Sequence, residues 1–190
     1  MSGDVQLVSA AGFAAWVSPA ASVYGQAMRR SPEVVVARRE VMRAHLDRPA
    51  YAATVALLPE DAGGGEVADA DRLLGFGYGY LGGPGEWWHD AVSRALDPDS
   101  RRRWLTSCYE LAELHVRPDQ QGRGLGRRLL DGLLDHAGSD STGARTMALS
   151  TPDTETPARS LYRSVGFRDV LRGFYFPGSS EAYAVMGCER

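Results

Sequence analysis

Apolar residues recur at Leu125, Leu129, Leu130, Leu133, Leu134 and Ala137, on one stripe of a helix that Gly138 closes. Shorter apolar runs predict strands at 5–10, 50–58, 72–81, 104–116, 145–151, 168–176 and 182–187. A helix is predicted from Phe13 to about Arg30, interrupted in pattern by Pro19. Another spans Glu33 to Leu46, where Ser31, Pro32 and Glu33 form a start signal. Thr156-Pro157 opens and Gly166 stops a helix over 157–165. The acidic, Gly-rich stretch 59–71 reads as a loop joining two strands of a hairpin. Residues 82–103 read as an insertion between strands: a GGPG turn, the helix-capable run EWWHDAVSRAL, an Asp-Pro break and three arginines. The order predicts one domain over 1–190 of the α+β class, a mixed sheet with helices on both faces.

Composition narrows the chemistry. All 21 basic residues are arginine, so no lysine is available for a Walker-type phosphate loop, a Schiff base or a lysine nucleophile. Ile and Asn are also absent, a bias that points to GC-rich coding and a bacterial source. The net charge of -3 argues against non-specific nucleic-acid binding and favours a cationic ligand. Cys108 and Cys188 are far apart and fit no metal-ligand spacing, so they read as reduced thiols and no metal is expected. The opening residues lack signal-peptide features and no apolar run has membrane-spanning length, so a cytoplasmic protein without membrane association is expected.

Ahead of the amphipathic helix lies Glu110-Leu111-Ala112-Glu113-Leu114-His115-Val116-Arg117-Pro118-Asp119-Gln120-Gln121-Gly122-Arg123-Gly124-Leu125-Gly126. A strand feeding a Gly-rich turn and a helix N-terminus aims backbone N–H groups and the helix dipole at one anion, and Arg123, Arg127 and Arg128 add charge beside it. The expected anion is a phosphate or pyrophosphate. The G-x-G-x-G spacing departs from the dinucleotide fingerprint, and taken alone these glycines could merely shape a tight connection.

Val116-Arg117-Pro118 followed by Gln121-Gly122-Arg123-Gly124-Leu125-Gly126 resembles the acetyl-CoA signature of the GCN5-related N-acetyltransferase (GNAT) family. A second block, Ala158 to Phe167, is similar to that family's A-x-x-L-Y-x-x-x-G-F helix. The resemblance implies a GNAT fold, a twisted sheet splayed between two central parallel strands, here 110–116 and 145–151. It implies acetyl-CoA as cosubstrate, held by Leu114, His115 and Val116 on the first strand, Ser150 and Thr151 on the second, and by Gln121, Gly122, Arg123, Gly124, Leu125, Gly126 and Arg127 in the turn. Direct attack by an amine in a ternary complex then requires loss of its proton and a donor for the leaving thiolate. Tyr162 occupies the family's donor position, with a packed aromatic as the structural alternative. Strand alternation places Glu110 and Glu113 on opposite faces, and both are candidate bases, with Glu113 nearer the expected splay. His115 could join a proton path or be structural. Glu155 stands where many members carry an Asn that meets the pantetheine region.

The expected acceptor is a small-molecule primary amine, met by aromatic residues such as Trp87, Tyr80 and Tyr24 and by acidic loops that include Asp61, Glu66 and Asp69. Trp87 and Trp88 could equally anchor the inserted helix. Two other functions fit the same blocks: a non-catalytic acyl-CoA sensor, and an N-acetyltransferase acting on proteins. A homodimer is compatible with all three.

Overall fold

The computed structural model describes residues 4–58 and 69–190. Its elements are β1 (Asp4–Val8), α1 (Ala10–Ala14), α2 (Val17–Met28), α3 (Pro32–His45), β2 (Ala52–Leu57), α4 (Asp69–Arg72), β3 (Leu73–Gly82), α5 (Trp87–Ala95) and α6 (Pro98–Leu105). Then follow β4 (Cys108–Val116), a single 3-10 turn (Pro118–Gln120), α7 (Leu125–Ala137), β5 (Thr146–Pro152), α8 (Pro157–Ser164), β6 (Arg168–Phe174) and β7 (Tyr183–Glu189). The strand order is β1-β2-β3-β4-β5-β7-β6. β4 and β5 pair in parallel, whereas β1 with β2, β2 with β3, β5 with β7 and β6 with β7 are antiparallel. The sheet is therefore mixed, as the sequence predicts. Two compact units divide the chain: Met1–Tyr80 with Ala112–His136, and Leu81–Leu111 with Ala137–Arg190.

In the first unit, alternation along β2 sends successive side chains to opposite faces. Ala53 and Val55 join Phe13, Val17, Ala20, Val23, Tyr24 and Met42 from α1, α2 and α3, together with Phe76, Tyr78 and Tyr80 of β3. Ala56 faces the other way, with Leu125 and Leu129 of α7. Between them Thr54 donates its hydroxyl to the Leu129 carbonyl at 3.0 Å. A register shift at Ala56/Leu57 lets Leu73 and Phe76, of unlike parity, reach the same cluster. Gly75 and Gly77 have a packing reason: a Cβ at Gly75 would lie 2.9 Å from the His115 carbonyl, and one at Gly77 would lie 2.9 Å from Leu114 Cδ1.

The second unit is built on α5 and α6 of the insertion, whose Trp88, Val92, Leu96, Trp104 and Leu105 pack with Cys108, Ala148, Phe176 and Val185. Below α8, Arg159 is fully buried and bridges Asp153 and Asp169 at 2.7 Å each. Arg172 and the Gly173 N–H complete the shell of Asp153, at 2.8 Å each. Hydrogen bonds from Arg172 and the Gly173 backbone, with help from Arg159, outweigh burial and hold the Asp153 carboxyl down at about 2.

Four sequence expectations are corrected. The helix from Phe13 to Arg30 is two helices, because the Pro19 ring would strike the Ala15 carbonyl in a continuous one; within α2, Pro19 falls in the first turn, where N–H groups lack helical partners anyway. The strand at 104–116 begins only at Cys108, and Trp104 and Leu105 end α6 instead. The Asp-Pro pair read as a break is a start: Asp97 accepts from the Asp99 and Ser100 N–H groups, and Pro98 takes the first helical position. Residues 69–71, expected in a loop, are helical. Asp61, Glu66 and the Asp69 side chain lie outside what the structure describes.

Replacing Arg159 by Met leaves two carboxylates without their shared cation. The expected loss is about 3 kcal/mol, or roughly 6–12 °C in Tm. Thermal unfolding at neutral pH checks it, and a shift below about 2 °C would show that the buried guanidinium is not a principal support.

Candidate active site

Period-two alternation puts Glu113 and His115 on one face of β4, and the first unit closes a polar cluster around them. The Glu113 side chain is 6% exposed, with Oε1 3.1 Å from Arg38 Nη1 of α3 and Oε2 2.5 Å from His115 Nε2. Tyr24 of α2 meets the His115 ring edge-on at 5.2 Å, and Phe76 lies 5.6 Å away. The Arg38 guanidinium covers the Tyr24 ring at 5.1 Å. His45, at the end of α3, shares a 3.0 Å hydrogen bond with the Tyr78 hydroxyl and packs on Tyr80 at 5.0 Å.

Electrostatics follow from this packing. Burial alone would raise the Glu113 carboxyl, but the hydrogen bond from His115 and the Arg38 guanidinium overcome it, and the group lies below the ordinary carboxylate range. Burial, reinforced by the Arg48 charge, lowers His45 to about 4, so its ring is neutral at pH 7. Burial and the Glu113 charge push the Tyr78 phenol well up. Tyr24 and Tyr80, expected at the acceptor, are thus buried members of this cluster.

The Gly-rich turn belongs to the same unit. The Arg117 N–H bonds the Leu74 carbonyl at 2.9 Å, and its guanidinium grips Asp119 at 3.1 and 3.0 Å. Gln121 Nε2 donates to the Val116 carbonyl at 3.1 Å, folding the turn onto the end of β4. Gly122 and Gly124 take φ values of 75° and 79°, and a Cβ at either would meet nothing within 4 Å; left-handed backbone, not crowding, calls for glycine. Residues 121–124 are exposed, while Leu125 is buried and pins the start of α7. Leu114 and Val116 pack against that apolar cluster, so any cofactor contact there falls to their main chain. Arg127 is engaged by Asp131 at 2.7 and 3.0 Å, and Arg123 is exposed.

The second unit holds the remaining candidates. Tyr162 is 7% exposed on α8 and packs on Phe167 at 5.8 Å. Thr156 caps that helix by accepting from the Arg159 N–H at 3.1 Å. Ser150 accepts from Trp88 Nε1 at 3.2 Å, and Thr151 is buried. The adjacent tryptophans divide their work: Trp88 is buried, whereas Trp87 is 62% exposed and stacks on Phe176 at 5.0 Å. Glu110, also buried, has Ala148 as its partner on β5. Glu155, at the family's Asn position, is paired with Arg163 at 2.7 Å.

Sequence reasoning missed Arg38 and His45, both of α3, and Arg159 with its two aspartates. The only signal for Arg38 was a cation on a weakly apolar helix face. Among the described residues no group of three His, Cys, Asp or Glu side chains could hold a metal, and no helix is long and apolar enough to cross a membrane. Cys108 and Cys188 are free and buried, and burial pushes the Cys108 thiol up to about 12.

The sequence matches the profile of the acetyltransferase (GNAT) family over residues 36–167. It is 36% identical over 187 residues, 88% of each chain, to a GCN5-like protein acetyltransferase of Mycobacterium tuberculosis. Over 79 residues it is 39% identical to the N-alpha-acetyltransferase RimI of the same organism, covering 40% of this chain and 47% of that one. Among solved structures, Arabidopsis thaliana NAA60 in complex with acetyl-CoA superimposes with a TM-score of 0.63 at 16% identity, covering 98% of this chain and 97% of the other.

Arg38 governs the charge state of Glu113. In Arg38→Met the carboxyl is expected to titrate at higher pH than in the wild type, because burial is then opposed by His115 with less help. Carbon-detected NMR titration of the Glu113 carboxyl reads this directly; an unmoved midpoint would mean that Arg38 does not set it.

Proposed function

Since this chain belongs to the GNAT acetyltransferase family, we propose that it moves the acetyl group of acetyl-CoA to a primary amine carried on a protein. The observation behind the cofactor half is the turn 121–126, with two left-handed glycines, exposed backbone and the N-terminus of the 13-residue α7. These suit a pyrophosphate, with Arg123 as the exposed cation beside it. Acetyl-CoA supplies an activated thioester. The main chain at Leu114, His115 and Val116 is the element that would align it. Ser150 and Thr151 are the corresponding contacts on β5, with the Ser150 hydroxyl steadied by Trp88.

Support for a protein acceptor comes from the relative aligned along 88% of each chain, whose name specifies protein acetylation. A small cationic amine is the second reading, favoured by the rings of Tyr24, Tyr78 and Tyr80 gathered in the unit that holds Glu113. In both readings the proton released by the amine goes to the Glu113 and His115 cluster, Tyr162 protonates the departing thiolate, and Glu110 is the less favoured base. Trp87 is the exposed aromatic available to an acceptor.

Thiol release from acetyl-CoA is the test, using peptides with free N-termini or internal lysines alongside polyamines and arylalkylamines. Peptides are expected to give kcat/KM at least about tenfold above the small amines, a gap of about 1.4 kcal/mol in transition-state binding. The reverse order would favour the second reading, and tight CoA binding without turnover would favour a sensor. Tyr162→Phe should lower kcat about 10–100-fold with little change in the KM for acetyl-CoA, as for loss of one proton-transfer group. An unchanged kcat removes the donor assignment.

A further inference from the structure

Both oxygens of Glu113 are occupied, one by Arg38 at 3.1 Å and the other by His115 at 2.5 Å. A carboxylate so held has little capacity left to accept the proton of an incoming ammonium. Its effect on His115 is more specific. An ionised carboxylate only accepts hydrogen bonds, so the ring nitrogen facing it, Nε2, must carry hydrogen, and in the neutral ring Nδ1 then presents its lone pair. No hydrogen-bond partner of Nδ1 stands among the described residues. The ring cannot easily turn to exchange its nitrogens: Tyr24 holds one edge at 5.2 Å, Phe76 lies at 5.6 Å, and Arg38 locks Tyr24 and Glu113 together. The other polar groups of the cluster, His45 and Tyr78, are hydrogen-bonded to each other.

We infer that Nδ1 of His115 is the proton acceptor of the reaction and that Glu113 is a positioning residue, fixing the tautomer and stabilising the imidazolium as it forms. The inference deepens the acetyltransferase reading and rests on it for the identity of the proton donor. One ammonium proton passes to Nδ1 and on to solvent. The free amine forms the C–N bond, the C–S bond breaks with its electron pair on sulfur, and the sulfur takes the hydroxyl proton of Tyr162. The second proton, lost from the new amide nitrogen, returns to the tyrosinate through solvent. The products are the amide, free CoA and one released proton.

Two measurements test this. Long-range proton-nitrogen NMR of the unprotonated His115 ring should show hydrogen on Nε2 in the wild type. In Glu113→Gln the side-chain amide can donate to that nitrogen, and the Nδ1–H form should grow. The spectrum needs no turnover, so it stands even if no amine proves to be a substrate. With the best amine, His115→Ala should lose about 100-fold in kcat at little-changed KM for acetyl-CoA, and added imidazole should restore at least about tenfold, as for a replaceable proton acceptor. His115→Gln, closer in volume, should lose as much if Ala perturbs folding. An Nδ1–H wild type, kcat within about threefold in either variant, or a folded Ala variant that imidazole does not rescue would each overturn the assignment.

Discussion

A carboxylate that is 6% exposed costs several kcal/mol to desolvate unless its charge is matched on the spot, and Glu113 is matched on both oxygens. That requirement orders the first unit. Arg38 brings a fixed positive charge from α3 to Oε1, so this ion pair ties that helix to β4. His115 reaches Oε2 because two residues along a strand return to the same face. Gly75 and Gly77 then let β3 lie directly against the backbone that carries both residues. Removing Arg38 or His115 leaves one oxygen of a buried carboxylate without its partner, a larger penalty than the loss of one ordinary contact.

The second unit solves the opposite problem with the same device. There the buried ion is a cation, Arg159, and the compensation comes from Asp153 at the end of β5 and Asp169 on β6. Because Arg159 lies three residues before Tyr162 on α8, the pairing also fixes the turn of helix that carries the phenol. Each unit therefore builds a candidate proton-handling side chain one step away from a charge it cannot afford to move. Rigidity of this kind suits a reaction whose acceleration comes mainly from positioning.

Local sequence carried a large part of this architecture. The α7 stripe is buried at all six expected positions, and Thr156 caps α8 as expected; α3 starts where Ser31 and Pro32 signal it, though Ser31 makes no side-chain cap bond, and Asp97, read as a break, caps α6. The two family blocks located the turn and α8, because their glycine and proline positions are backbone constraints that survive in sequence. Arg38 was not legible: its partner is 75 positions away, and a half-exposed arginine on α3 resembles its neighbours Arg39 and Arg43, which pair locally with Glu40. Alternation told which residues share a face with Glu113, but not that His115 would bond it rather than point past it. The split roles of Trp87 and Trp88 were equally open, since helix phase alone does not say where the core lies.

The absence of lysine bears on how these ion pairs behave. Every cation in the structure that never changes charge is a guanidinium, which stays protonated at any pH the fold survives, whereas a buried ammonium can shed its proton. Burial therefore cannot neutralise Arg38 or Arg159: the Glu113 carboxyl beside Arg38 sits below its ordinary range although burial alone would raise it, and the Asp153 carboxyl is held at about 2. A lysine in place of Arg38 could escape desolvation by losing its charge, and Glu113 would then be free to take a proton. With arginine there, that exit is closed. A lysine-free chain also offers no side-chain ammonium to compete with the acceptor, so an acetyltransferase of this sequence has no lysine of its own to modify.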